Sequence, residues 1–187
     1  MKKPLNILFI EDNEDDARLI LRKIKKQYKV DTWERVDTPK IFEMTIDKKP
    51  WDLIISDYSM PYFNPMMALK ILKKKELDIP FILMSGAIGE EAAVEILKAG
   101  AHDFIQKGNT TRLIPAIERE LIEAQSRQER RTALTRLQKS EETIRTLFNA
   151  IPDSILLVDS RGKILAINKN GTEMLGKEEN ALLGTTF

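Results

Sequence analysis

Five short apolar runs, each followed by a stretch of helical spacing, fill the first 120 residues and leave few folds open. The runs cover 5–10, 30–36, 51–56, 81–84 and 102–106. The first, third and fourth are nearly continuous in Leu, Ile and Phe, and a strand without polar alternation is one covered on both faces. After the first run, Ala17, Ile20, Leu21, Ile24 and Tyr28 fall on one helical stripe. Asn13 stands before that stripe as an N-cap, with Glu14, Asp15 and Asp16 in the first turn. Thr38-Pro39 opens a second helix, 66–72 reads as a third and 90–99 as a fourth closed by Gly100, and Gly108-Asn109-Thr110 leads into a fifth. Strand–helix alternation imposes parallel crossovers, so the expected fold is α/β, a doubly wound sheet with helices on both faces. Such sheets bind ligands beyond the carboxyl ends of their strands, which makes the polar residues there candidates for one site.

Composition narrows the chemistry. The 187 residues contain no cysteine, which removes disulfide scaffolds, thiolate zinc sites and cysteine nucleophiles. Lys+Arg 30 against Asp+Glu 29 leaves a net charge of +1, so no global field favours nucleic acid or an acidic membrane. Arg127, Arg130 and Arg131 lie among acids and read as a solvated helix face, so no nucleic-acid partner is expected. The opening run imitates a signal peptide but is short and ends at Glu11-Asp12. No run approaches the roughly 18 apolar residues of a membrane helix. A cytoplasmic protein without a membrane partner is the expectation.

The strand ends carry the chemistry. Glu11 and Asp12 follow the first strand, Asp57 the third, Ser85 the fourth and Lys107 the fifth, while the second offers only Asp37. Three carboxylates in one pocket repel each other and call for a cation. An all-oxygen, incomplete cage suits Mg²⁺, which keeps several waters. Mg²⁺ and Lys107 together would receive a phosphoryl group, with Asp57 as the nucleophile, since carboxylates form covalent phosphoryl intermediates. The lone histidine, His102, opens a strand without the neighbours of a phosphotransfer histidine and reads as structural.

Four motifs in order resemble the receiver domain of two-component response regulators: Phe9-Ile10-Glu11-Asp12, Ile55-Ser56-Asp57-Tyr58-Ser59-Met60-Pro61, Leu83-Met84-Ser85-Gly86-Ala87 and Asp103-Phe104-Ile105-Gln106-Lys107. The resemblance implies a flavodoxin-like (βα)5 sheet of strand order 2-1-3-4-5. It implies Asp57 as phosphoacceptor and Mg²⁺ held by Asp12, by Glu11 chiefly through water, by Asp57 and by the backbone carbonyl of Ser59. Lys107 would pair with one phosphoryl oxygen and Ser85 with another. Phe104 would be the aromatic switch, read out on the face of the fourth helix, fifth strand and fifth helix. The donor would be a histidine kinase or phosphotransfer protein, and slow self-dephosphorylation the only intrinsic turnover. Gly108 stands where the family commonly has a proline, and Glu11 is longer than the usual aspartate.

Two alternatives use the same residues. Haloacid-dehalogenase-type phosphatases also combine a strand-end Asp, Ser/Thr, Lys and Mg²⁺, but want a second acid where Ser59 stands. A pseudo-receiver would be a docking scaffold that takes no phosphoryl group.

Beyond the sheet, 110–148 contains no glycine. Ile117, Leu121 and Ala124 make one seam, and Leu134, Leu137, Ile144, Phe148 and Ile151 another at a/d spacing. This reads either as a coiled-coil linker joining two copies into a homodimer or as a lone solvated helix. From Glu141 the sequence resembles the start of a PAS domain: 147–153 leads into Ile155-Leu156-Leu157-Val158-Asp159, a turn at Gly162, and Ile167-Asn168-Lys169-Asn170. Asn168 reads as a turn residue. The expected organisation is a receiver over 1–123, a helical linker over 124–148 and a partial α+β PAS-like segment over 149–187. A following histidine kinase would complete a hybrid kinase. The chain itself lacks an ATP-binding glycine motif, a kinase histidine box and a DNA-binding helix pair.

Overall fold

A computed structural model describes residues 3–86 and 90–186. The chain divides into two compact units, Met1–Gln128 and Glu129–Phe187.

The first unit alternates β1 (Leu5–Ile10), α1 (Glu14–Lys25), β2 (Val30–Val36), α2 (Pro39–Ile46), β3 (Leu53–Asp57), α3 (Pro65–Lys74), β4 (Phe81–Ser85), α4 (Glu90–Ala99) and β5 (Asp103–Gln106). A 3₁₀ turn (Thr110–Arg112) leads into α5 (Leu113–Ala150), which runs on into the second unit. The five strands are parallel in the order β2-β1-β3-β4-β5, the doubly wound topology expected. Alternate strand residues feed two cores. Ile7, Phe9, Ile55, Met84 and Ile105 pack under α1 and α5, while Leu8, Ile10, Ile54, Phe81 and Leu83 pack under α2, α3 and α4. That two-sided cover is why β1, β3 and β4 are apolar without alternation.

Local chemistry sets the helix ends. The Asn13 side chain accepts from the Asp15 and Asp16 N–H groups, and Asn64 caps α3 through Met67 N–H at 2.9 Å, ahead of Pro65. Thr38, expected as a cap, makes no side-chain capping bond. α3 closes through Leu77 N–H on Leu72 C=O at 3.0 Å, which puts Glu76 in the left-handed region at φ 54. α4 closes at Gly100, φ 121.

His102 lies outside β5 rather than opening it. Its ring Nδ1 accepts the Phe81 N–H at 3.1 Å, which satisfies the first amide of β4, so the residue is structural. Arg130 and Arg131 are exposed, while the half-exposed Arg127 forks its guanidinium onto the Asp78 carboxylate at 2.9 Å through both Nε and Nη2. Ile117 and Leu121, read as one coiled-coil seam, pack instead on the sheet.

In the second unit β6 (Leu156–Val158) and β7 (Ile164–Ile167) pair antiparallel around a turn with Gly162 at φ 77. α6 (Lys169–Leu175) and α7 (Glu179–Leu182) follow, and Ile164, Ile167 and Leu182 form a small core. Asn168 is a fully buried hub. Its side-chain oxygen accepts from Ile155 and Gly171 N–H, both at 2.9 Å, and its amide donates to Asp153 C=O at 2.8 Å. Among the described residues no helix is long and apolar enough to cross a membrane.

Candidate functional site

The carboxyl edge of the sheet gathers the predicted residues. β1, central β3 and β4 end beside one another, which brings Glu11, Asp12, Asp57 and Ser85 together, and β5 delivers Lys107 one residue past its end. The Lys107 N–H donates to the Ser85 carbonyl at 2.7 Å and ties that loop to β4.

The Lys107 ammonium donates to Asp57 Oδ2 at 2.9 Å, to Asp16 Oδ2 at 2.8 Å and to Glu11 Oε2 at 3.3 Å. The other Asp57 oxygen accepts the Ser59 N–H at 3.3 Å. Carboxylate oxygens of Glu11, Asp12 and Asp57 lie within 4.8 Å of one another. Glu11 and Asp57 are buried and Asp12 is exposed.

The charges are strained by this crowding. Burial first, and then the negative charge of Asp57, push the Glu11 carboxyl up to about 7, against the pull of Lys107. Burial opposes the Lys107 ammonium, yet its bonds to Asp16 and Asp57 and the charge of Glu11 prevail and hold it above the usual lysine range. The donor set therefore fits a hard divalent cation: three carboxylates offer oxygen ligands, and a cation would offset both the burial and the Asp57 repulsion that raise the Glu11 carboxyl. The Ser85 hydroxyl is fully buried and has no hydrogen-bond partner among the described residues. A buried hydroxyl left in this way is costly unless an acceptor enters the site.

The remaining predicted residues fall where expected or lie apart. Ser59 is exposed beside Asp57. Phe104 is half-buried against the core under α2, α3 and α4. Ala87, at the end of the third motif, lies outside the described residues. Two contributors escaped the sequence. Asp16 looked like an ordinary first-turn acid, and only folding brings Lys107 to it. Arg35, on β2, donates to the backbone carbonyls of Glu11 at 2.7 Å and Asp12 at 3.2 Å, fastening the acidic loop. Its signal was the strand order, since β2 flanks β1 and Arg35 sits opposite Phe9. Asp37, the weak candidate of the second strand, pairs with Arg35 at 3.3 Å.

A doubly wound sheet of this order, with acids, a hydroxyl and a lysine along its carboxyl edge, defines the flavodoxin-like receiver class. The response regulator receiver domain model matches residues 7–118, and the chain belongs to that family. A PAS domain model matches residues 142–187. The protein-glutamate methylesterase/protein-glutamine glutaminase of Methanococcoides burtonii is 34% identical over 115 residues, 58% of this chain and 32% of its own length. The cell cycle transcriptional regulator CtrA of Caulobacter vibrioides is 25% identical over 183 residues, 95% of this chain and 68% of its own. Among solved structures, the receiver domain of the Arabidopsis thaliana histidine kinase CKI1, in complex with Mg²⁺ and BeF₃⁻, superimposes with TM-score 0.52. It is 26% identical, and the match covers 62% of this chain and 89% of that one. The Francisella response regulator 1452 receiver domain gives TM-score 0.56 at 25% identity, over 64% and 98%. The chain spans between 22% and 32% of the length of several curated relatives it matches. Membership of the receiver family leaves the dehalogenase-type phosphatase reading without support.

Proposed function

We propose that the chain is the phosphoacceptor module of a two-component phosphorelay, in which Asp57 takes a phosphoryl group from the phosphohistidine of a histidine kinase or phosphotransfer protein. A carboxylate oxygen of Asp57 attacks phosphorus in line. The O–P bond forms as the P–N bond breaks, and the departing imidazole keeps the electron pair and takes up a proton. Glu11, Asp12, Asp57 and the Ser59 carbonyl are the residues to hold Mg²⁺, which when bound neutralises charge on the phosphoryl oxygens. Lys107 donates to one of those oxygens and Ser85 to another. The Ser85 bond draws on the β4 end, Phe104 responds by changing its packing, and the change is read on the α4-β5-α5 face and along α5.

The observation that supports this reading is the buried Ser85 hydroxyl, without a hydrogen-bond partner among the described residues, one residue past the Asp57↔Met84 pairing of β3 and β4. A hydroxyl donor so held beside an Asp–Lys pair suits an incoming oxyanion. The CKI1 receiver, crystallised with Mg²⁺ and BeF₃⁻, adds chemical precedent. Intact mass after acetyl phosphate and Mg²⁺ tests it: one phosphoryl is gained by the wild type and none by Asp57→Asn. No gain in either makes the chain a pseudo-receiver scaffold.

The proposed organisation is a receiver over 1–123, a linker over 124–148 and a partial PAS-like segment over 149–187, the front part of a cytoplasmic receiver–PAS protein or hybrid histidine kinase. Leu134, Leu137 and Ile144 are exposed along α5 and suit a coiled-coil homodimer. Light scattering with and without beryllofluoride tests this, and a monomer in both states refutes it.

A further inference from the structure

Lys107 has three N–H bonds to give, and all three go to carboxylates: Glu11, Asp16 and Asp57. For Lys107 to grip a phosphoryl oxygen, one of these bonds must be surrendered. The three partners differ in what that surrender costs. Glu11 and Asp57 side chains are 3% and 7% exposed, so water cannot replace the ammonium there and only one backbone N–H each, from Asn13 and Ser59, would remain. Asp16 is 42% exposed, and water can replace the lost bond. Asp16 also belongs to a different element from the other two, the first turn of α1, so releasing it disturbs no strand end.

We propose that Asp16 is a positioning residue, the exchangeable counter-ion that holds Lys107 in the resting site and that an incoming phosphoryl oxygen displaces. The inference rests on the receiver reading of Asp57 and Lys107 and adds a role for a residue outside the four motifs. Asp16 then competes with the phosphoryl group for the same ammonium. It weakens phosphoryl retention while keeping Lys107 pointed at Asp57 in the empty site.

The plain rival is that Asp16 only serves the positive end of α1, as any first-turn acid does. Asp15 separates the two roles, since it is an exposed acid in the same turn. At saturating Mg²⁺, Asp16→Asn should bind beryllofluoride roughly 3–10-fold tighter, followed by fluorine NMR, and keep its acyl phosphate longer by the same factor, the range of one half-exposed charge-assisted bond. Asp15→Asn should match the wild type, and Asp16→Glu, which restores the carboxylate, should return most of the way to it. A second readout needs neither metal nor phosphoryl group. In EDTA, acetic anhydride labelling of Lys107, measured on its peptide, should rise several-fold in Asp16→Asn and not in Asp15→Asn. The proposal is overturned if Asp16→Asn behaves as Asp15→Asn in both readouts, or if it shortens phosphoryl lifetime. Failure of the receiver reading looks different: the wild type then takes up neither acetyl-phosphate phosphoryl nor beryllofluoride.

Discussion

Replacing Glu11 with glutamine should remove the fall in the first unit's stability that its titration causes between about pH 4.5 and 7.5. In the folded protein the Glu11 proton is held up to about 7, against an ordinary value of 4.5, chiefly because burial disfavours the charge and Asp57 repels it. An acid whose folded value is raised stabilises the fold fully below its unfolded value, and that contribution disappears as pH rises through the folded value. At 1.36 kcal/mol per pH unit, the interval between 4.5 and about 7 corresponds to about 3 kcal/mol. Metal-free wild type should therefore lose about 3 kcal/mol between pH 4.5 and 7.5 from this group. Glu11→Gln keeps a neutral side chain of the same shape and should lose this fall, leaving the opposite, rising contribution of His102, whose burial holds its imidazole below the usual value. Urea unfolding in EDTA, followed by tryptophan fluorescence, measures it cleanly, because Trp33 and Trp51 both lie in the first unit. Mg²⁺ should steepen in affinity across pH 7, because the ion must displace the same proton. Parallel pH profiles for wild type and Glu11→Gln would refute the reasoning, because Glu11 would then not be the group that titrates.

Other substitutions test separate elements. Ser85→Ala removes a buried hydroxyl that has no partner among the described residues, so unphosphorylated protein should gain about 1 kcal/mol in urea unfolding while losing acyl phosphate faster; a less stable variant would mean the hydroxyl is satisfied. Glu76→Gly relieves a left-handed, non-glycine residue just past the Lys75 C-cap of α3 and should raise stability by about 1 kcal/mol in the same assay. Asn168→Ala strands the Ile155 and Gly171 N–H groups and the Asp153 carbonyl. About 3 kcal/mol should go from the second unit, read as roughly 100-fold faster amide exchange at Ile155 and Gly171 with the first unit unchanged.

The reach of the primary structure follows from how local each signal is. Apolar runs, the Asn13 cap, Gly100 and the strand-end acids are written in adjacent residues, so the alternation, the sheet class and Glu11, Asp12, Asp57, Ser85 and Lys107 were all readable before folding. The two-sided burial of β1, β3 and β4 is likewise stored in their lack of alternation. What remained hidden depends on pairs far apart in the chain. Asp16 meets Lys107 across 91 residues, Arg35 reaches the Glu11 carbonyl across 24, and Arg127 finds Asp78 across 49. Each of these is a polar or charged residue whose local pattern fits a solvated surface equally well. The same holds for α5: one uninterrupted helical sequence carries two seams, and only the sheet decides that Ile117 and Leu121 belong to its core while Leu134 and Leu137 stay exposed. Local propensity and hydrophobic period determined the elements and their order, whereas the partners of the charged side chains were decided by tertiary structure, because a salt bridge leaves no periodic trace in the chain that makes it.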